Sequence, residues 1–463
     1  MKYDAIIIGG GLSGLAAGIR LAYYNKKVCI IEKHSLLGGL NSYYYQKGHY
    51  FDVGLHAMTN YIKDTRSARK TPLAKLLRQL RIPLGDLYLA PQKFSRIAFP
   101  NVSLDFTNDS DSLIQQISDK FPASVDDFLK LKKKVDSYNE LDLTAKPLSA
   151  RKIVSEIIKD SLLIEMIFCP LMYYGSAEEN DMEFGQFCIM FKSIFEQGFC
   201  RPEKGMKAII KLLEKKYLEC NGELIKNCGV RKINTSNNTA ESVELSDGRI
   251  FKTEKILSSA GYLETLKLLD NSPPKKNDYS SGQLSFVETI FMLDKNKVDK
   301  AFATAPSITF YNSINKFHYC KPDTFVGMQS GVICLPHCFN YEKESENPMI
   351  RITNIADCTK WVNYNKEDYL KNKNTTKKAQ KKILNNYLPN FENQIIFEDM
   401  FTPKTIIKYT GHINGAVYGM PQKKKDGTTP VKNLYICGTD QGFLGIVGSM
   451  LSGISMANYH IMM

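Results

Sequence analysis

The chain has 463 residues, 43% apolar and 24% charged, an ordinary globular composition with room for two or three domains. Lysine and arginine outnumber acids 61 to 48, which suits either an acidic partner or a lysine-rich solvated surface; the bases are dispersed and no nucleic-acid motif appears, so nucleic acid is not an expected partner. Eleven cysteines without paired spacing argue against a disulfide framework and for a reduced interior, no metal is expected, and no uninterrupted apolar run approaches the ~18 residues of a membrane span.

Residues 4–8 are an apolar, β-branched run, predicting a strand buried on both faces. Gly9, Gly11 and Gly14 follow in the spacing G-x-G-x-x-G, and Leu12, Leu15, Ala16, Ile19 and Leu21 then recur at helical spacing. A second apolar run, 28–31, ends in Glu32 and Lys33. In such a unit Gly9 makes a tight turn, Gly11 lets a diphosphate approach backbone N–H groups, and Gly14 lets helix pack on strand. The helix N-terminus, with Leu12 and Ser13, faces the phosphates, and Glu32 accepts ribose hydroxyls. Positions 4–9 read as this strand, not as a secretory leader, so the chain is expected in the cytoplasm.

Residues 71–82 read as an amphipathic helix, and 87–106 as three short strands. Residues 109–198 read as mostly helical, broken at Pro122, Pro147 and Pro170. Phe184, Phe187, Phe191, Phe195 and Phe199 lie on one helix face, which suits either core or the wall of an apolar tunnel. A helix over 203–220, strands at 223–225 and 229–233, a hairpin turning at Asp247-Gly248, and a strand entering a glycine turn at 255–261, which includes Ala260, return to α/β texture. Strand-like runs at 284–293, 307–311, 331–335 and 349–355 precede a polar helix over 366–387. A last buried strand, 433–438, leads through Gly438-Thr439-Asp440 into a helix from Gly445, Ile446 and Val447. This organisation predicts an α/β, Rossmann-like nucleotide-binding domain assembled from 1–70, 201–275 and 403–463. A helical region at 71–200 and a sheet-based substrate domain at 276–402 complete it.

Only one G-x-G-x-x-G occurs, whereas chains that pass hydride between NAD(P)H and FAD usually carry two. With the paired Gly38-Gly39 and the distant Gly438-Thr439-Asp440, this selects FAD. Asp440 is placed to accept ribityl hydroxyls, and the helix from Gly445 to aim its positive end at the flavin.

The combination resembles the phytoene desaturase, carotenoid isomerase and retinol saturase group of FAD oxidoreductases, relatives of the amine oxidases. The resemblance is carried by residues 7–15, by Glu32 with Gly38-Gly39 and by Phe51-Asp52-Val53-Gly54-Leu55-His56. It is carried too by Arg201-Pro202-Glu203-Lys204-Gly205-Met206, similar to the group's P-x-G-G-M, and by Gly438-Thr439-Asp440. Leu40 stands where many members have Arg, and Lys204 where they have the first glycine of the pair. The resemblance implies that Gly9, Gly11, Gly14, Glu32, Gly38 and Gly39 hold the ADP and ribityl portions and that Val230 meets the adenine. It also implies a long apolar isoprenoid or polyene lipid substrate that is desaturated, saturated or isomerised by hydride exchange with the flavin. A peripheral position on the inner membrane face and an external acceptor, quinone or O2, would accompany that role. His56, His412 and Tyr409 are the catalytic candidates, with Tyr418 behind them. Two other functions fit the same residues: oxidation of fatty-acyl chains on an acyl carrier protein, and flavin-containing lipid binding without catalysis.

Overall fold

A computed structural model describes residues 2–54, 56–62, 71–140, 142, 146–269, 279–342 and 348–463. Leu55 of the 51–56 motif and the expected boundaries near 70 and 275 lie outside them.

β1 (Lys2–Ile8) is flanked in parallel by β2 (Val28–Ile31) and by the strand Ile250–Ser258. Beyond these lie Glu223–Ile225 on one side and Leu434–Ile436 on the other, again parallel. The near-continuous apolar sequence of β1 and β2 follows from this position, because a central parallel strand is covered on both faces. α1 (Leu12–Tyr23) is the crossover from β1 to β2. Since the five strands run one way, Ile8, Ile31, Ser258 and Ile436 end at one edge, where open α/β sheets bind ligands.

The hairpin Val230–Ser236 and Thr239–Leu245 lies antiparallel along the first part of Ile250–Ser258. Its tight turn is Asn237-Asn238, both at positive φ, the geometry of a type I′ turn. The sequence reading found only the later Asp247-Gly248 turn, because Asn-Asn is a weaker signal than Asp-Gly.

A second sheet runs in the order Ile395–Phe401, Ser285–Leu293, Met349–Ala356, Ser330–Cys334, Ile308–Asn312, Ser95–Phe99 and Val102–Phe106. Residues 71–200 therefore do not stand apart as one helical region. The helix Pro72–Leu80 buries Leu73, Leu76, Leu77 and Leu80 with α1 and the closing helix Gly445–Ala457, while 95–106 extends the second sheet. Pro170 is not a break either: it lies inside the helix Ser161–Gly175, where burial of the surrounding apolar side chains outweighs the lost backbone hydrogen bond. The phenylalanine stripe runs from the helix Phe184–Phe191 through a π-helical turn, Lys192–Glu196. Its five rings are buried in one core with Phe286 and Phe310 of the second sheet. No described helix is long and apolar enough to cross a membrane.

Close packing brings the first and last helices together. A side-chain carbon on Gly453 would lie 2.0 Å from Ser13 O, and one on Gly14 2.1 Å from Gly9 O. Both neighbours are backbone and cannot turn away. Gly453→Ala and Gly14→Ala are each expected to destabilise the fold by about 2–4 kcal/mol, read as a lowered denaturant midpoint.

Candidate functional site

The edge where the parallel strands end carries the glycine turn. Gly9 has φ +96°, and Ser259 Oγ donates to Ile8 O at 3.0 Å and Gly9 O at 3.1 Å, pinning the turn to the neighbouring strand. α1 opens on Gly11 with no side-chain cap, and Leu15 N–H donates to Gly11 O at 2.9 Å. The first-turn N–H groups at Leu12, Ser13 and Gly14 are thus left to a ligand. Nothing lies within 4 Å of a side chain built on Gly11. Gly38 N–H donates to Gly10 O at 2.9 Å, bringing Gly39 and Leu40 over the turn. A side chain on Gly39 would come 3.5 Å from Gly11 Cα.

Glu32 is buried at the end of β2. Its carboxylate accepts from Gly10 N–H at 2.7 Å and His34 N–H at 2.9 Å, leaving further lone pairs for hydroxyl donors. Gly229, next to Val230, lies against Lys33: a side chain there would be 3.2 Å from Lys33 Cβ. Half-buried Val230 therefore stands beside the acid, and Ala260 follows Ser259 at the neighbouring strand end. At the other end of the chain, Gly438 N–H donates to Ser452 Oγ at 2.8 Å. The closing helix has no side-chain cap, and Gly445 is exposed with open space around it. Ile446 and Val447 are buried in its first turn. An acid at one end, uncapped first-turn N–H groups in the middle and a second uncapped helix start fit an extended flavin dinucleotide.

The Asp440 carboxylate is, like that of Glu32, bonded to backbone. Its two oxygens accept from Tyr262 N–H at 2.7 Å and Met420 N–H at 2.8 Å, tying three segments together as well as lying beside the site. Tyr409 is 53% exposed and its ring faces His34, on the Glu32 side. His412 Nδ1 is 3.6 Å from Glu264 Oε1. Burial works against that carboxyl, but His412 and the Ile413 N–H hold it below the usual range. The structure does not bring these two residues to His56.

His56 lies where the glycine-turn unit meets the second sheet. Its Nε2 is 2.8 Å from Thr353 Oγ1 and 3.3 Å from Glu288 Oε2. Arg351 Nε donates to Glu288 Oε1 at 2.6 Å, and its Nη2 donates to Asp52 O at 3.0 Å. Arg201 donates to Asp52 Oδ2 at 2.7 Å and to His56 O. Asp52 Oδ1 accepts from Met206 N–H at 2.8 Å. Gly205, φ +66°, makes room for that bond, since a side chain there would lie 2.6 Å from Asp52 Oδ1. Burial would raise the Glu288 carboxyl, yet Arg351 and His56 beside it hold it at about 2. Glu288, Arg351 and Thr353 were not among the sequence candidates. The signal for the first two was a lone acid and a lone base inside two apolar runs, 284–293 and 349–355.

The profile of the flavin-containing amine oxidoreductase family matches residues 12–285. Prolycopene isomerase of Daucus carota is 22% identical over 99% of this chain and 80% of its own length. All-trans-retinol 13,14-reductase of Danio rerio is 21% identical over 98% and 85%. An oxidoreductase from Methanosarcina mazei shares the fold with a TM-score of 0.67 at 16% identity, covering 99% of this chain and 100% of that one. Putrescine oxidase bound to putrescine does so with a TM-score of 0.64 at 13% identity, covering both chains fully. The chain belongs to the flavin-containing amine oxidoreductase family; it is a flavin oxidoreductase and its cofactor is FAD.

Gly11→Ala is expected to leave stability unchanged, as its φ of −67° suits alanine, but to weaken FAD retention about 10-fold, or ~1.4 kcal/mol, measured by flavin fluorescence on dilution. The Glu288 pair has an acid signature. A carboxyl held at about 2 against about 4.3 when unfolded contributes stability that is present above the unfolded value and lost as pH falls towards 2. Glu288→Gln should flatten that acid loss and, by leaving Arg351 buried without its counterion, cost about 3–5 kcal/mol at neutral pH; denaturant curves across pH read both effects.

Proposed function

We propose that this member of the flavin-containing amine oxidoreductase family acts on carbon–carbon bonds of a long apolar isoprenoid or polyene lipid. The observation that carries the reading is the state of the acids where the glycine-turn unit meets the second sheet. Asp52 is spent on Arg201, and Glu288 on Arg351 and His56. Neither offers a free carboxylate to an amine. The adjoining core is apolar and aromatic, built from Phe199, Phe286, Phe310 and their neighbours. Relatives named for prolycopene, phytoene and retinol, matched over most or much of their lengths, support the same reading.

FAD, when bound, supplies hydride acceptance or donation at its N5. The chain's own residues supply the setting. Thr353 and Glu288 hold the His56 ring by one nitrogen, which fixes its orientation and leaves the other nitrogen to take or deliver a proton at the substrate. The apolar core excludes water from that exchange.

The test is anaerobic incubation of the purified holoprotein with phytoene, prolycopene or all-trans-retinol dispersed in liposomes, with putrescine as the contrast. Oxidised flavin should bleach, reduced flavin should reoxidise, or the polyene should change isomer on at least one of the lipids, and His56→Ala should slow that response about 100-fold or more. Flavin bleached by putrescine, or silent to all three lipids, would sink the proposal.

A further inference from the structure

One hydroxyl beside His56 is left over. Tyr174 lies in the last turn of the helix Ser161–Gly175, its ring centroid 4.8 Å from that of Phe199 and 5.7 Å from that of Phe310. Its hydroxyl oxygen is buried and has no hydrogen-bond partner among the described residues. The tyrosines around it are different. Tyr173 Oη is 2.9 Å from Ser330 Oγ, Tyr319 Oη donates to Ser176 O at 3.1 Å, Tyr418 Oη bonds Tyr173 O, and Tyr311 Oη accepts from Asn354 at 2.6 Å.

The polar groups that surround this hydroxyl are already committed. The Cys334 thiol donates to His56 O at 3.4 Å. Tyr418 bonds Tyr173 O, and Arg201 bonds Asp52 and His56 O. The Ala57 N–H adjoins this oxygen; counted as a donor to it, it still leaves the phenolic proton without an acceptor among the described residues. An unmade buried hydrogen bond costs about 1–3 kcal/mol, and phenylalanine would fill the same space without that cost. The place is informative too. Ala57 follows His56, and Gly54 abuts the Gly38–Leu40 loop, since a side chain on it would lie 2.5 Å from Leu40 O. The leftover donor therefore sits between the flavin-side loop and the apolar core.

We propose that the Tyr174 hydroxyl binds an oxygen function (hydroxyl, carbonyl or ether) carried on the apolar chain, so that the substrate is an oxygenated polyene or isoprenoid and not a bare hydrocarbon. This rests on the reading of the site as one for an apolar chain. A hydrocarbon leaves the phenolic proton unsatisfied, whereas an oxygen acceptor completes it.

The experiment compares the wild-type holoprotein with Tyr174→Phe, using three probes: all-trans-retinol, its methyl ether and the hydrocarbon analogue lacking the oxygen. Binding is read by quenching of protein fluorescence and stability by thermal unfolding. The wild type should bind the alcohol and the ether about 10-fold more tightly than the hydrocarbon; the ether counts because the protein is the donor. Tyr174→Phe should bind all three alike and unfold at or above the wild-type midpoint. Equal binding of the three probes by the wild type overturns the inference and leaves the apolar-chain reading standing. So does a preference that survives Tyr174→Phe, or a lowered midpoint in that variant, which would mean that the hydroxyl holds the fold. Failure of every probe to bind removes the apolar-chain reading and this inference with it.

Discussion

The arrangement depends on charges buried at a seam. Arg351 on the second sheet bonds Glu288 on the adjacent strand and the backbone of Asp52, which follows directly from the glycine-turn unit. Asp52 in turn holds Arg201 and the start of the helix Gly205–Glu219. Two guanidinium–carboxylate pairs thus clamp four separated segments. Such pairs add little net stability over apolar packing, but removing one partner strands a buried charge at a cost of several kcal/mol. The seam therefore favours one relative placement of the two sheets over alternatives that would leave a charge unpaired.

That placement decides the chemistry available. Because the seam's acids are neutralised, the proposed reading leaves one orientable imidazole, a phenol and an aromatic core to meet a substrate. His56 owes its position to both sheets: its backbone belongs to the stretch after the glycine-turn unit, and its ring is held by Thr353 and Glu288 of the second. Tyr409 and His412, though titratable, are placed differently: the Tyr409 ring lies against His34, and His412 lies against Glu264.

The cofactor surface shows the same division of labour. The parallel strands place Gly9, Glu32, Ser259 and Gly438 at one edge, although the last two are hundreds of positions from the first two in the chain. Gly453 lets the closing helix approach α1 to backbone contact, and Gly14 lets α1 pack on the glycine turn that precedes it.

Local rules were sufficient wherever a segment carries its own signal. The strand–turn–helix of residues 2–31, Glu32, the paired Gly38-Gly39, the FAD assignment and most strands of both sheets are legible in the sequence, because alternation, glycine spacing and helical periodicity act over a few residues. Pro170 inside a helix, the Asn237-Asn238 turn and the strands of 95–106 joining the second sheet were decided by packing. So were the surroundings of Glu288, Arg351 and Tyr174. In the sequence, Glu288 and Arg351 are isolated charges 63 positions apart, and Tyr174 is one apolar-region tyrosine among several. Only the tertiary structure pairs the first two across adjacent strands and leaves the third without a partner, because burial and hydrogen bonding depend on which distant segments arrive beside a residue and not on its neighbours in the chain.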